Sequence, residues 1–155
     1  MSEFSYTTKA LYSGEKVCGM DLSPETIPCF LTTAFTMRGF KEVQDTYANK
    51  GYTYVRTRNP NRTALGEVIS CLEGGEESLI FSSGMGAITS TLMTLLDRGD
   101  HVICNSNIYG ETYSVMTQVL GKCGVETTFA DYQNTENIAA AIRPETKLIY
   151  SEVLS

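Results

Sequence analysis

The sequence predicts an α/β protein: an N-terminal extended arm over residues 1–60, then, over residues 61–155, part of a mainly parallel sheet with helices on its faces. Three observations carry this expectation. Beyond Pro60, short apolar runs alternate with stretches of helical period. Those runs are nearly continuous, the pattern of strands covered on both faces, and parallel strands need helical crossovers between them. Before Pro60 there is no sustained period; Thr, Tyr and Gly are frequent, and Pro24 and Pro28 interrupt the chain.

The elements follow in chain order. In NPNRTALGEVISCLEGG, Pro60 suits the first turn of a helix, Leu65, Val68, Ile69 and Leu72 recur at helical spacing, and Gly74-Gly75 supplies a stop. SLIFSS reads as the first strand, and GAITSTLMTLLDRGD after it as a helix with Ile88, Leu92, Met93, Leu95 and Leu96 apolar. HVICN is the second strand and GETYSVMTQVLGKCG the next helix. VETTFA, the helical TENIAAAIRPE and a strand over Lys147–Val153 complete the pattern. In open sheets of this kind, ligands collect beyond the carboxyl ends of the strands. The sequence stops directly after the last strand, which would leave a sheet edge bare and points to a piece of a longer enzyme.

Composition removes several function classes. Twelve basic against eighteen acidic residues give a net charge of -6, the wrong sign for binding nucleic acid chiefly through phosphates or for an anionic membrane surface. No apolar run nears the roughly 20 residues that span a bilayer. MSEFSYTTKALYSGEK lacks the apolar stretch of a signal peptide, so a cytoplasmic protein is expected. The five cysteines, Cys18, Cys29, Cys71, Cys104 and Cys123, are odd in number and lack metal-pair spacing; they read as reduced thiols. His101, the one histidine, opens HVICN and reads as a structural residue at a strand end, which removes most hydrolase and metal-site readings.

Three short stretches carry chemistry. SSGMGAITST, from Ser82 to Thr91, joins a strand to a helix; it lacks the lysine of a Walker A loop, and Thr89 stands where a dinucleotide fingerprint has its third glycine. What remains is a small phosphorylated ligand held by free N–H groups at the helix N-terminus, or a plain turn. In GYTYVRTRNPN, residues two apart on an extended segment share a face, so Tyr54 and Arg56 present a phenol and a guanidinium together. That pair suits a phosphate, a solvated basic stretch being the alternative. In NSNIYGETYS, Tyr109 lies in the loop leaving a strand's carboxyl end, where its ring can stack on a flat ligand or pack at a helix start.

Taken in this order and spacing, YVRTRNP, SSGMGAI and IYGETYS resemble the Cys/Met-metabolism family of pyridoxal-phosphate enzymes, nearest to its methionine γ-lyases, from about Pro28 to the last residue. The resemblance implies a PLP-transferase-like (aspartate aminotransferase-like) α/β/α domain with pyridoxal 5'-phosphate as cofactor. It implies that Tyr54 and Arg56 reach a neighbouring subunit and bind its cofactor phosphate. Gly84 and Met85 would hold the phosphate through their backbone N–H groups from the same subunit, and Tyr109 would stack on the pyridine ring and act in proton transfer. A homo-oligomer follows, at least a dimer and by likeness a tetramer, acting on a small-molecule sulfur amino acid.

For methionine the implied products are methanethiol, ammonia and 2-oxobutanoate. An O-acetylhomoserine sulfhydrylase, or another γ-replacement or cystathionine-type member, is the alternative; a non-catalytic fragment is another. The family's Schiff-base lysine matches no position up to Ser155, so this chain alone is expected to be inactive. The terminal SEVLS resembles the start of the family's E-T-P-x-N-P segment, with Glu152 in the glutamate position. Glu111 stands where methionine γ-lyases usually carry Cys, and Thr53 where cystathionine-handling relatives tend to carry an acidic residue.

Overall fold

The computed structural model describes residues 4–12, 25–48 and 51–153; Cys18 and Pro24 lie outside them. The chain forms two compact units, Met1–Ile80 and Phe81–Ser155.

The first unit contains helices α1 (Tyr6–Tyr12), α2 (Phe40–Tyr47) and α3 (Pro60–Glu73). The third matches the sequence reading because its boundaries are written locally. Asn59 is extended and accepts the N–H of Asn61 through its side chain, Pro60 occupies the first turn, and Gly74 closes the helix at φ 70°, a conformation that costs glycine little. The same two asparagines fasten the arm. Asn61 Nδ2 donates to Pro28 O at 2.7 Å and Asn61 Oδ1 accepts from Phe30 N at 2.8 Å, while Asn59 Nδ2 donates to Phe30 O at 3.2 Å. The arm is therefore not uniformly extended: α1 and α2 interrupt it. Gly39 gives α2 no side-chain cap, so its start carries none of the usual local signs.

The expected strand SLIFSS forms no ladder among the described residues. A strand is defined by its partner, and no described segment pairs with this one, so its apolar pattern has nothing to complete it. Its first part instead lies along α3. Ser70 Oγ and Ser78 Oγ are 2.7 Å apart, and a Cβ at Gly66 would stand 2.9 Å from Ser78 O, which explains the glycine at this close approach.

The second unit runs α4 (Gly84–Leu95), β1 (His101–Asn105), α5 (Gly110–Ser114), a π-helical stretch over Val115–Leu120, α6 (Gly121–Cys123), β2 (Glu126–Ala130), α7 (Thr135–Ala141) and β3 (Thr146–Tyr150). The sheet has order β2-β1-β3 with both pairings parallel, so the parallel α/β expectation holds, with three strands in place of four. The last strand ends at Tyr150, short of Val153. β1 is central and its first four residues are buried. Val102 and Cys104 share one face with Leu92 of α4, with Leu96 at its C-cap and with Met116, Leu120 and Val125, and Leu148 and Tyr150 of β3 pack on that cluster. Leu120 is fully buried. Truncation to alanine removes its methyl groups and leaves a cavity; Leu120→Ala is expected to cost about 2–5 kcal/mol, read as a fall in the urea midpoint at unchanged slope.

The opposite face of β1 carries His101, 1% exposed. Its Nδ1 lies 2.8 Å from Thr146 Oγ1 and its Nε2 2.9 Å from Thr128 Oγ1, so both ring nitrogens are satisfied by hydroxyls of the flanking strands. Arg143 closes the ring of contacts. Its Nη2 donates to Thr128 Oγ1 at 3.1 Å, its backbone N to Thr146 Oγ1 at 2.9 Å, and its Nη1 pairs with Glu126 at 2.6 Å.

Burial, and then the Arg143 charge, hold the imidazole below its ordinary pKa, against a weaker upward pull from Glu126 and Glu145. The structural role expected of His101 is the one it plays. In the unfolded chain the imidazole gains its proton near pH 6.5, whereas the folded chain delays that protonation. Stability supplied by His101 is therefore complete above that pH and lost as pH falls below it. Thermal melts at pH 7.5 and 5.5 are expected to show a drop in Tm that shrinks in His101→Asn.

Candidate functional site

Loops at the carboxyl ends of β1 and β3, together with the N-terminus of α4, bring together three of the residues singled out from sequence. Ser83 is extended and caps α4: its Oγ accepts the N–H of Gly86 at 3.0 Å and its carbonyl that of Ala87 at 3.1 Å. The N–H groups of Gly84 and Met85 are left at the helix mouth without an acceptor among the described residues. A Cβ at Gly84 would meet nothing within 4 Å, so the mouth is open on that side. Met85 Sδ lies 3.9 Å from the hydroxyl of Thr112, on α5. Tyr109, three residues earlier, is 56% exposed and heads α5. An anion donor pair and an uncovered aromatic ring thus lie at one edge of the sheet, and these residues suit a ligand with a phosphate and a flat ring.

One side chain, marked in the sequence only by its place in SEVLS, organises this edge. Glu152, just past β3, accepts the backbone N–H of Tyr109 at 2.8 Å through Oε2. Its Oε1 accepts the hydroxyls of Thr112 at 2.7 Å and Tyr150 at 2.9 Å. Burial works against ionisation of Glu152, but these three donors, the Tyr109 N–H first, hold its carboxyl below the usual range. The effect on its neighbours is opposite. Burial, then the contact with Glu152, pushes the Tyr150 phenol up to about 12, and burial followed by the Glu152 charge pushes the Cys104 thiol up to about 12. Cys104 is thus an inert core thiol. Cys29, Cys71 and Cys123 are free as well. Thr112 could have been found from its position three residues after Tyr109 on one helix face; Glu152 is marked in the sequence only by its place in SEVLS, and its role at the site has no local signal, since two of its three partners are 40 and 43 residues away.

Tyr54 and Arg56 lie in the first unit. Tyr54 forms an antiparallel bridge with Ala34, with Phe35 N donating to Thr53 O and Val55 N to Thr33 O, both at 2.9 Å. The chain then turns rather than continuing extended: Thr57 N and Arg58 N both donate to Tyr54 O. The two side chains still meet, Arg56 Cζ lying 5.2 Å from the centre of the Tyr54 ring, so a cation–π contact does what strand alternation was expected to do. Arg62, in the first turn of α3, donates to the carbonyls of Val55 and Arg56 and fixes the turn. The first unit also carries a groove of about 550 Å³ lined by Arg58, Arg62, Thr63, Glu67, Glu76 and Ile80 among others; neither Tyr54 nor Arg56 lines it.

The sequence model of the Cys/Met metabolism PLP-dependent enzymes matches residues 7–155. The chain belongs to that family. Over 102 residues it is 52% identical to the cystathionine gamma-lyase of Bacillus subtilis, a match covering 66% of this chain and 27% of that protein. It is 35% identical over 127 residues to the L-methionine gamma-lyase of Treponema denticola, covering 81% and 32%. Among solved structures, a Campylobacter jejuni protein provisionally named O-acetylhomoserine (thiol)-lyase superposes with a TM-score of 0.87 at 26% identity, over 99% of this chain and 38% of that one; it carries N'-pyridoxyl-lysine-5'-monophosphate.

The chain therefore spans between about a quarter and two fifths of the length of these relatives. Its fold is the PLP-dependent transferase fold in part, and pyridoxal phosphate is the cofactor of its family. The Gly84–Met85 mouth and the exposed Tyr109 ring fit that cofactor. None of the described helices is long and apolar enough to cross a membrane.

Proposed function

We propose that these residues are the N-terminal portion of a pyridoxal-phosphate-dependent carbon–sulfur lyase, methionine γ-lyase-like, which converts methionine and water to methanethiol, ammonia and 2-oxobutanoate. The observation that carries this reading is the shared sheet edge: free N–H groups at Gly84 and Met85 beside an uncovered Tyr109, in a chain of this family. When bound, the cofactor supplies an electron sink that stabilises negative charge at the substrate's α-carbon. The chain's own residues bind, orient and move protons. Gly84 and Met85 donate N–H groups to the phosphate at the positive end of α4. Tyr109 stacks its ring on the cofactor and places its phenolic oxygen to take or return a proton at the substrate.

Tyr54 and Arg56 add a hydroxyl and a planar guanidinium to the phosphate of the neighbouring subunit, so each site is completed by a dimer, and the assembly is a tetramer. The chain by itself lacks the lysine that holds the cofactor aldehyde and is inactive; the whole protein is the enzyme, and its setting is the cytoplasm.

A second reading is favoured by the 52% identity to a cystathionine gamma-lyase: the same site eliminating from cystathionine. A third, γ-replacement by sulfide on O-acetylhomoserine, has the Campylobacter jejuni likeness behind it. Three incubations of the whole protein separate them. Keto acid and methanethiol from methionine alone are the expected result. Keto acid from cystathionine but not methionine selects the second reading, and homocysteine from O-acetylhomoserine plus sulfide, with no keto acid in either of the other two, selects the third.

A further inference from the structure

We infer that Glu152 is a positioning residue for Tyr109, its carboxylate joining the loop before α5, the first turns of α5 and the end of β3 into one hydrogen-bonded unit that fixes where the tyrosine ring stands. The inference rests on the reading that Tyr109 meets the cofactor ring, and deepens it. More than half of the Tyr109 residue is exposed, so packing does little to hold its ring. Its height above the sheet edge is set by its backbone. Tyr109 also takes the cap position of α5 at φ -56° and ψ 137° with no side-chain cap of its own, and the Glu152 carboxylate just past β3 accepts the N–H that this geometry exposes.

The anchor itself is rigid. Thr112 is fully buried, and Tyr150 lies opposite Cys104 of the central strand. Asn105 Nδ2 donates to Ser151 Oγ at 3.2 Å and Asn105 Oδ1 accepts Asn107 N at 3.2 Å, so the loop leading to Tyr109 is tied near both ends to the residues that follow β3 or end β1. A carboxylate held by one N–H and two hydroxyls is stable in this half-buried place, whereas the same donors without it would be left unpaired.

The chemistry of those donors supplies the test. A backbone N–H can only donate, but the hydroxyls of Thr112 and Tyr150 can donate or accept. A glutamine at 152 can therefore turn its oxygen to Tyr109 and its NH₂ to the two hydroxyls, keeping the geometry without the charge. An alanine keeps nothing. The experiment uses the whole holoprotein, with far-UV circular dichroism as the control for folding, hydrogen exchange over residues 106–113, and the visible circular dichroism band of bound pyridoxal phosphate.

In Glu152→Ala, exchange at the Tyr109 amide is expected to accelerate about 10-fold or more, and the cofactor band to fall severalfold; Glu152→Gln is expected to restore both. Wild-type exchange and an unchanged band in folded Glu152→Ala would overturn the inference, as would a glutamine variant no better than the alanine. If the alanine variant fails to fold, the near-isosteric pair Thr112→Val with Tyr150→Phe strips Oε1 of its donors and is expected to move both readouts the same way, wild-type behaviour again overturning the inference. A wild-type protein that protects the Tyr109 amide but shows no band with pyridoxal phosphate would refute the cofactor reading and leave the anchoring role of Glu152 standing.

Discussion

Replacing Tyr109 by phenylalanine is expected to lower kcat by about 10²–10⁴-fold, the usual worth of a positioned general acid or base, while cofactor binding changes little. The substitution removes one oxygen and leaves the ring. The backbone N–H of Tyr109, which Glu152 accepts at 2.8 Å, is untouched, so the loop keeps its course and the ring its place. Stacking and proton transfer are thus separated in one variant. Steady-state rates with methionine, set beside the visible spectrum of the bound cofactor, check it. A kcat within about threefold of wild type would remove Tyr109 from proton transfer, and a lost spectrum with an intact fold would mean that the phenol hydroxyl binds rather than reacts. Tyr109→Ala should lose both functions, because the exposed ring has no other group to replace its face.

Arg56→Ala is expected to weaken pyridoxal phosphate about 10–100-fold, the range for a lost hydrogen bond to a charged group, measured by titrating cofactor into apoprotein. The guanidinium rests 5.2 Å from the Tyr54 ring centre while Arg62 holds the backbone carbonyls of residues 55 and 56, so the loss should be local and the melting temperature of the apoprotein should stay near wild type. Lysine should restore only part of the affinity, since it brings the charge without the planar fork.

The cross-subunit assignment has a sharper check. If the site pairs Tyr109 of one subunit with Arg56 of the other, mixing the Arg56→Ala and Tyr109→Phe proteins creates mixed dimers in which one site has both native residues and the other has neither. At a cofactor concentration too low to load the Arg56→Ala parent, activity recovered above both parents is the expected result. No recovery on subunit exchange would place both residues in the same subunit and end the cross-subunit assignment.

Much of this was legible from single stretches. α3, α4 and α7 begin at Asn59, Ser83 and Asn134, each of which accepts an N–H of the first turn, so their starts depend on residues within three positions. HVICN could be read as a buried strand because it is central and covered, and its burial pattern matches its continuous apolar run. SLIFSS carries the same kind of run and forms no strand among the described residues, with Leu79 77% exposed. The difference lies in the partner and not in the run. α2 was missed for the opposite reason: it forms over Phe40–Tyr47 without a side-chain cap to announce it.

For the site, local sequence was enough to nominate the SSGM helix mouth and Tyr109, because a helix mouth and an aromatic after a strand are each short-range features; the family resemblance then pointed to Gly84 and Met85. It also placed Tyr54 beside Arg56, though through strand alternation, where the chain in fact turns and brings the pair together by a cation–π contact.

By itself, then, the sequence determined the parallel α/β class, the capped helices and the family, since each depends on residue type and spacing within a few turns of chain. Tertiary structure decided the rest. It gave His101 two threonine partners 27 and 45 residues away, and made Glu152 the carboxylate that ties Tyr109 to β3. Those contacts exist only once β1 lies between β2 and β3. A hydrogen bond needs its partners within about 3 Å, and for residues tens of positions apart only the packed sheet brings them that close.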